Sequence, residues 1–429
     1  VVSGAADGYA RMSGKSAANL LHLGPGLGNA FANIHNAKKA CSPMINIVGD
    51  HASYHLKHNA PLTSDLDGLA KSSSDWVKRV SSPEQITQCA NDAWKAANQA
   101  PGNIATLIVP ADYAWSDIGS DLPKKVELNN RKPVDNKLIE AAYKLLLKPN
   151  SMLYLGGKFL DEECLKFAAQ IATKTGCRLV TDTFVSRIRR GAGLPIVQQV
   201  PYFSEMAEDF LQGTESIVFI GTKPPVSFFA YPDKKSFLSP DEAELFELCS
   251  VEENGYEALA LLSELSGSPK IANELIRPYI ADVPTSGDLD VTTLGPLIAD
   301  IMPEESIVSD ESATSSLIVT PHALQAKPHD WLALTGGSIG QGLPLAIGAS
   351  IAKPDRPVIT LHGDGGAMYT VQALWTQARE NLNITNIIFS NRSYEILKIE
   401  LDRVQAVETG DRAASMFSMD NPPIDWVNL

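Results

Sequence analysis

Five cysteines are scattered over 429 residues (Cys41, Cys89, Cys164, Cys177 and Cys249), with no CxxC and no close pair. That excludes a dense disulfide framework, and it fits reduced thiols in a cytoplasmic protein. Positive charge is also short: 36 Lys and Arg face 50 Asp and Glu, a net charge of −14. Nucleic acid is therefore excluded as a partner, since phosphate binding needs a basic surface. An anionic cofactor would have to be held locally, by a metal and backbone dipoles. No run approaches the roughly 18 apolar residues of a membrane span. An initiator methionine is missing as well. The chain starts at Val1 inside a helical pattern (Ala5, Ala6, Tyr9, Ala10) and stops at Leu429 with no closing element. Both ends are expected to be absent, and with them any targeting segment. What remains, 44% hydrophobic and 20% charged, is ordinary for a soluble globular protein of two to three domains.

One stretch organises the chain. Val358–Leu361 is a short β-branched run and reads as a buried strand. Gly363-Asp364-Gly365-Gly366 ends it with residues that tolerate unusual backbone angles. Between Tyr369 and Arg379, Val371, Leu374, Trp375 and Ala378 recur at helical spacing. Ile384–Phe389 is a second buried strand, closed by Asn391. This βαβ unit puts Asp364 and Asn391 beyond the carboxyl ends of two parallel strands, where open α/β sheets bind ligands. A carboxylate and an amide oxygen suit a hard divalent cation that shares its other positions with phosphate and water. The glycines between them let backbone N–H groups approach an anion. The other reading of Gly-Asp-Gly is a plain helix cap.

The spacing Gly363-Asp364-Gly365, then the 25 residues 366–390, then Asn391, resembles the fingerprint of thiamine diphosphate (ThDP) enzymes. Within that family the whole chain resembles benzoylformate decarboxylase and the large subunit of acetolactate synthase. The resemblance implies that Asp364, Asn391 and the backbone carbonyl of Ser393 hold Mg²⁺. It places Gly363, Gly365, Gly366 and Tyr394 beside the cofactor. It also implies three doubly wound α/β domains with parallel sheets. These are a pyrimidine-binding domain over 1–115, a middle domain over 137–266 and a diphosphate-binding domain over 289–429.

The remaining segments follow this α/β alternation. Strands are expected at Ala17–Leu23, Met44–Val48 and Ile104–Val109, with helices at Gly28–Ala37 and Pro83–Asn98. Leu21-His22-Leu23-Gly24-Pro25-Gly26-Leu27-Gly28 reads as strand, glycine loop and helix start. His22 sits at the strand end. The resemblance to benzoylformate decarboxylase implies that it binds the substrate carboxylate and moves protons; the bland alternative is a hydrogen-bonded structural histidine. His51, His55 and His58 follow the next strand. Their spacing allows a zinc site, yet no carboxylate or cysteine partner stands at ligand spacing, so a substrate-facing loop is expected.

Residues 116–136 read as a linker and 266–288 as a loose connection. The middle segment lacks a GxGxxG, so a structural role is expected there and FAD is not. Ala230 stands where benzoylformate decarboxylase carries a second active-site histidine, which weakens the case for aromatic 2-oxo acids. Further on, Ile307–Ser309 is a strand. Glu311, Ser312 and Thr314 then lie near the diphosphate by resemblance, or simply cap a helix. In Gly336-Gly337-Ser338-Ile339-Gly340, the resemblance makes Ile339 the apolar prop that bends the cofactor. The Gly337 carbonyl is then the acceptor for its amino group, and Ser338 lies alongside.

The implied activity is a ThDP- and Mg²⁺-dependent 2-oxo acid decarboxylase or carboligase, the latter including acetolactate synthesis proper. The glutamate that activates the pyrimidine in this family is expected a few residues before Val1. The pyrimidine and diphosphate units meet across subunits in the family, so a homodimer or homotetramer is expected. Two readings of other kinds stay open: a non-catalytic regulatory protein on the same fold, and a different α/β enzyme using a nucleotide diphosphate.

Overall fold

The computed structural model describes residues 1–117, 126–280, 283, 286–404 and 410–429. Parts of the two expected connections, 118–125 and 281–282 with 284–285, lie outside the described residues. The chain divides into two compact units. One comprises Val1–Asn130, Leu334–Thr360 and Ala367–Asn386; the other comprises Arg131–Ala333, Leu361–Gly366 and Ile387–Leu429.

In the first unit, β1 (Ala17–His22), β2 (Met44–Asp50), β3 (Trp76–Arg79) and β4 (Ile104–Pro110) form a parallel sheet in the order β1-β2-β4-β3. Its core is Leu21, Leu27, Ile34, Met44, Val48, Leu66, Ile104 and Ile108. β4 is buried almost throughout, as a central parallel strand covered on both faces must be. β1 lies at the edge and alternates, with Leu20 79% exposed.

The expected glycine loop after β1 does not exist. The helix Leu23–Lys39 starts directly after His22, so Gly24, Gly26 and Gly28 are helical. Leu23 makes the turn alone, in the left-handed region at φ 55°. The physical reason is close packing: a Cβ on Gly24 would overlap the Ser64 hydroxyl. That reason covers Gly24 alone: a Cβ on Gly26 would make only ordinary contacts and one on Gly28 would meet open space.

Also in this unit, helix Val2–Ser13 packs along helix Gly342–Ala352. The approach is closer than any side chain allows. A Cβ on Gly8 would overlap the Leu345 carbonyl oxygen, and one on Gly348 the Ala5 carbonyl oxygen. The helical run expected over Tyr369–Arg379 is broken into a 3₁₀ turn, Met368–Thr370, and a helix, Ala373–Arg379. Its inner face is also not the expected one. Ala373 and Gln377 are buried, and Trp375 is 63% exposed with the Arg379 guanidinium over its ring. Gln377 wins the interior because its amide is satisfied there, donating to the Leu343 carbonyl and accepting from Asn386.

The second unit holds a parallel sheet of β5 (Ser151–Leu155), β6 (Arg178–Thr181), β8 (Gln198–Gln199), β9 (Ser216–Ile220) and β10 (Glu244–Cys249), ordered β10-β9-β5-β6-β8. Its core includes Met152, Tyr154, Val180, Ile217 and Phe219. A third sheet contains β11 (Ile307–Glu311), β12 (His329–Ala333), β13 (Val358–Gly363) and β14 (Ile384–Phe389). Its order is β14-β13-β11-β12-β7. Strand β7 (Ile188–Arg190) was not foreseen: it comes from the middle of the sequence and pairs antiparallel with β12. The architecture is thus α/β with three largely parallel sheets.

Candidate active site

The site around Asp364 is built by strand order. β13 and β14 are neighbours. At their beginnings, the Val358 N–H donates to the Asn383 carbonyl at 3.1 Å. Beyond their far ends, Asp364 Oδ2 accepts from the Arg392 N–H at 2.8 Å. The two strands therefore run the same way, and the Asp364 carboxylate meets the loop that carries Asn391 and Ser393. The carboxylate is only 2% exposed, and its other oxygen accepts from the Gly365 N–H at 2.9 Å. Each oxygen keeps a second lone-pair direction, so the group remains a competent metal ligand.

Asn391 is exposed, and its Oδ1 accepts from the Ser393 N–H at 3.0 Å. Between them Arg392 takes φ 55°, the left-handed turn that folds the loop over the carboxylate. Bonds from Tyr394 N–H to the Phe417 carbonyl and from Met419 N–H to the Arg392 carbonyl, both 2.9 Å, hold that loop in place. The carboxylate of Asp364 and the amide oxygen of Asn391 are hard oxygen donors, the kind a magnesium ion takes.

The glycines beside Asp364 have a second use. A Cβ on Gly365 would run into the Tyr394 ring, and one on Gly366 would come within 2.7 Å of Glu311 Oε1. Glu311 is 6% exposed, with Oε2 3.4 Å from Nε2 of His362. His362, fully buried on β13, was not singled out in the sequence. It donates from Nδ1 to the Gly363 carbonyl at 3.0 Å. Its only sequence signal was a polar residue inside an apolar strand. Ser312 turns away from open space: its hydroxyl donates to Asp310 at 2.7 Å and lies 2.7 Å from the Ser316 hydroxyl. Thr314 is half-buried in the 3₁₀ turn that follows.

Gly337, Ser338 and Ile339 belong to the other unit, and there they are pinned by the helix Leu23–Lys39. Asn36 donates to the Ser338 carbonyl at 2.7 Å and accepts from the Ser338 N–H at 3.1 Å. His35 donates to the Gly336 carbonyl at 3.1 Å. Gly336 is glycine because a Cβ there would strike Asn36 and His35. Between these two bonded carbonyls, that of Gly337 accepts no hydrogen bond among the described residues. Gly337 itself sits at φ 72°. Ile339 is 38% exposed.

Beneath this loop lies a buried network. Asp7, fully buried, accepts from Arg11 at 2.7 and 2.8 Å, from Ser42 at 2.5 Å and from Gln341 at 2.6 Å. Arg11 also donates to Thr335, and Thr335 to the Asn36 carbonyl. Sequence reasoning missed Asn36, His35 and Asp7, because a polar residue within a helix carries no sign of what it faces.

His22 ends β1, exposed, at the N-cap of the following helix without a capping bond. The rings of His51, His55 and His58 lie 5.4 and 5.7 Å apart in succession. Among the described residues no group of three or more His, Cys, Asp or Glu is arranged to hold a metal ion. In the middle sheet, strand order reverses between β5 and β9, the place where such sheets receive ligands. Phe159 fills it, its ring lying where Cβ atoms on Gly221 and Gly255 would stand. Asp182 beside it accepts from Tyr154 at 3.0 Å and Thr222 at 2.7 Å, and burial raises its pKa. No helix among the described residues is long and apolar enough to cross a membrane.

Residues 1–70 match the N-terminal TPP binding domain of thiamine pyrophosphate enzymes, and residues 313–429 match the C-terminal TPP binding domain. The chain is 42% identical to IlvX of Mycobacterium tuberculosis, a candidate acetolactate synthase large subunit, over 100% of this chain and 82% of that protein. It is 26% identical to benzoylformate decarboxylase of Pseudomonas aeruginosa, over 92% of this chain and 78% of that one. Among solved structures, the ThDP-dependent 4-hydroxybenzoylformate decarboxylase of Rhodococcus jostii superposes with a TM-score of 0.84. It covers 100% of this chain and 83% of its own at 22% identity, a likeness of fold. With sequence kinship along its whole length, the chain belongs to the thiamine pyrophosphate-dependent enzymes.

Proposed function

We propose that the protein is a ThDP- and Mg²⁺-dependent enzyme that decarboxylates a 2-oxo acid or joins it to a second one. The observation that supports this reading is the bond by which Asp364 accepts from the Arg392 N–H, in the loop that carries Asn391 and Ser393. In it, Asp364, the Asn391 side chain and the Ser393 carbonyl hold the magnesium ion. Gly363, Gly365, Gly366, Glu311, Ser312, Thr314 and Tyr394 surround the diphosphate. The unbonded Gly337 carbonyl receives the cofactor's amino group, and Ser338 and Ile339 support its rings. Asn36 and His35 position that loop through its flanking carbonyls.

When bound, the cofactor supplies the electron sink for cleaving the bond between a 2-oxo carbon and its carboxylate. His22 orients that carboxylate and transfers protons. The carboligase outcome, of the acetolactate synthase kind, is supported by Ala230. Its methyl group cannot carry a proton where benzoylformate decarboxylase has a second histidine. The three domains divide at 1–115, 137–266 and 289–429, and the enzyme works in the cytoplasm as a homodimer or homotetramer. The test is a product assay with ThDP and Mg²⁺ across pyruvate, benzoylformate and branched 2-oxo acids. An aldehyde product identifies a decarboxylase and a 2-hydroxy-2-alkyl acid a carboligase. No turnover of any of them, with ThDP bound, would favour the regulatory reading.

A further inference from the structure

On β7, at the edge of the third sheet, the Arg190 side chain is 4% exposed. Among the described residues no carboxylate pairs with it. Its guanidinium lies 3.6 Å from the centroid of the Trp331 ring. Its Nε–H donates to Nε2 of His329 at 3.3 Å, and Nη1 reaches Gln199 Oε1 at 3.5 Å. The histidine cannot neutralise it. Nδ1 of His329 donates to the Lys327 carbonyl at 2.8 Å, and burial, with Arg190 adding, pushes its pKa down to about 3. Burial lowers the Arg190 pKa to about 9, with Asp310 opposing and Arg277 assisting, so the guanidinium stays charged at neutral pH. Its Nη2 is buried with no hydrogen-bond partner.

Arg190, the residue that carries this donor, lines a cavity. The walls include Arg190, Gly191, Gln199, Leu324 and a second cation, Arg277, with room for one water-sized group, about 10 Å³. Arg277 makes no side-chain hydrogen bond or ion pair among the described residues; only its main chain is used, by Gly193 and Leu194. Arg189, by contrast, is paired with Glu305 and Glu162. A Cβ on Gly191, at φ 128°, would come within 2.7 Å of the Lys327 carbonyl, so this wall is closely fitted. Burying a lone charge costs several kcal/mol unless something compensates it. Two arginines lining one small cavity favour an oxyanion, whose oxygens match their planar donors.

We propose that Arg190 and Arg277 form a binding site for a small oxyanion, one oxygen seated in the cavity against Arg190 and the rest in the mouth beside Arg277. The site is separate from the Asp364 centre, which lies at the end of a strand three places away in the same sheet. The chemistry is shared by free inorganic phosphate and by a carboxylate ion. Occupancy neutralises the buried charge and fixes β7 on β12.

Thermal unfolding of the full chain, in a zwitterionic buffer at constant ionic strength, tests this with inorganic phosphate, acetate and chloride. Phosphate or acetate should raise Tm saturably, by roughly 3–5 °C at a hundredfold excess over Kd, and whichever does so identifies the source. Arg277→Met should abolish that rise and leave the rise produced by ThDP with Mg²⁺ unchanged. An undiminished oxyanion response in Arg277→Met would overturn the proposal. So would a wild-type response to chloride equal to that to the oxyanions, or none to any of them; this wild-type arm decides even if the variant does not fold.

Discussion

Among the described residues no side chain donates a hydrogen bond to Asp364; both of its oxygens are met by backbone N–H groups. Replacing it with alanine therefore removes the proposed metal ligand without stranding a side-chain partner among the described residues. Asp364→Ala should abolish Mg²⁺-dependent ThDP binding in calorimetry, and retention of that binding would reject the ligand assignment. His22→Ala should leave ThDP binding intact and slow turnover by roughly 10²-fold, the usual size of an acid–base contribution; steady-state kinetics at saturating cofactor would show it. A third residue sets a pH response. The folded pKa of His329 is lowered to about 3. Between that value and its unfolded one near 6.5, the unfolded chain binds a proton that the folded chain refuses. Stability should fall by roughly 1–2 kcal/mol from pH 7 to pH 5, and urea titrations should find the slope flattened in His329→Asn. At this scale the sequence was legible where spacing encoded chemistry: Asp364 and Asn391 could be paired because each follows a recognisable strand. Asn36, His362 and Arg190 could not. What they face comes from chain distant in sequence, and no local pattern records it.

Elements were legible where apolar runs were long and bounded, as for β2, β4, β13 and β14. They were misread where glycine was taken as a loop signal. Gly24, Gly26 and Gly28 lie within a helix, and at Gly24 the absence of a side chain serves close packing against Ser64. Trp375 was assigned inward on hydrophobicity alone, yet Gln377 holds that interior position with both ends of its amide satisfied. The helix pair Val2–Ser13 and Gly342–Ala352 gives the sharpest test of this packing. Gly348→Ala introduces a methyl group onto the Ala5 carbonyl and should destabilise by about 1–3 kcal/mol or more, read as a lower urea midpoint. An unshifted midpoint would mean that the two helices can move apart freely.

For the molecule as a whole, the three-sheet plan was readable from the alternation of strand and helix, and the long-range pairings were not. Strand β7 shows the difference: three residues from the middle of the sequence close the edge of the third sheet. That has a consequence for modularity. A chimera that exchanged 137–266 for the matching part of a relative would replace not only one domain but also the border of another. Unless the incoming piece supplied its own equivalent of Ile188–Arg190, the outer edge of β12 would be laid bare, with backbone groups free to recruit a neighbouring chain. Such a hybrid should self-associate in light scattering, and restoring these three residues alone should return it to the parent's size. The middle segment is thus less a cassette than a tenon, cut to fit a joint in the sheet beside it.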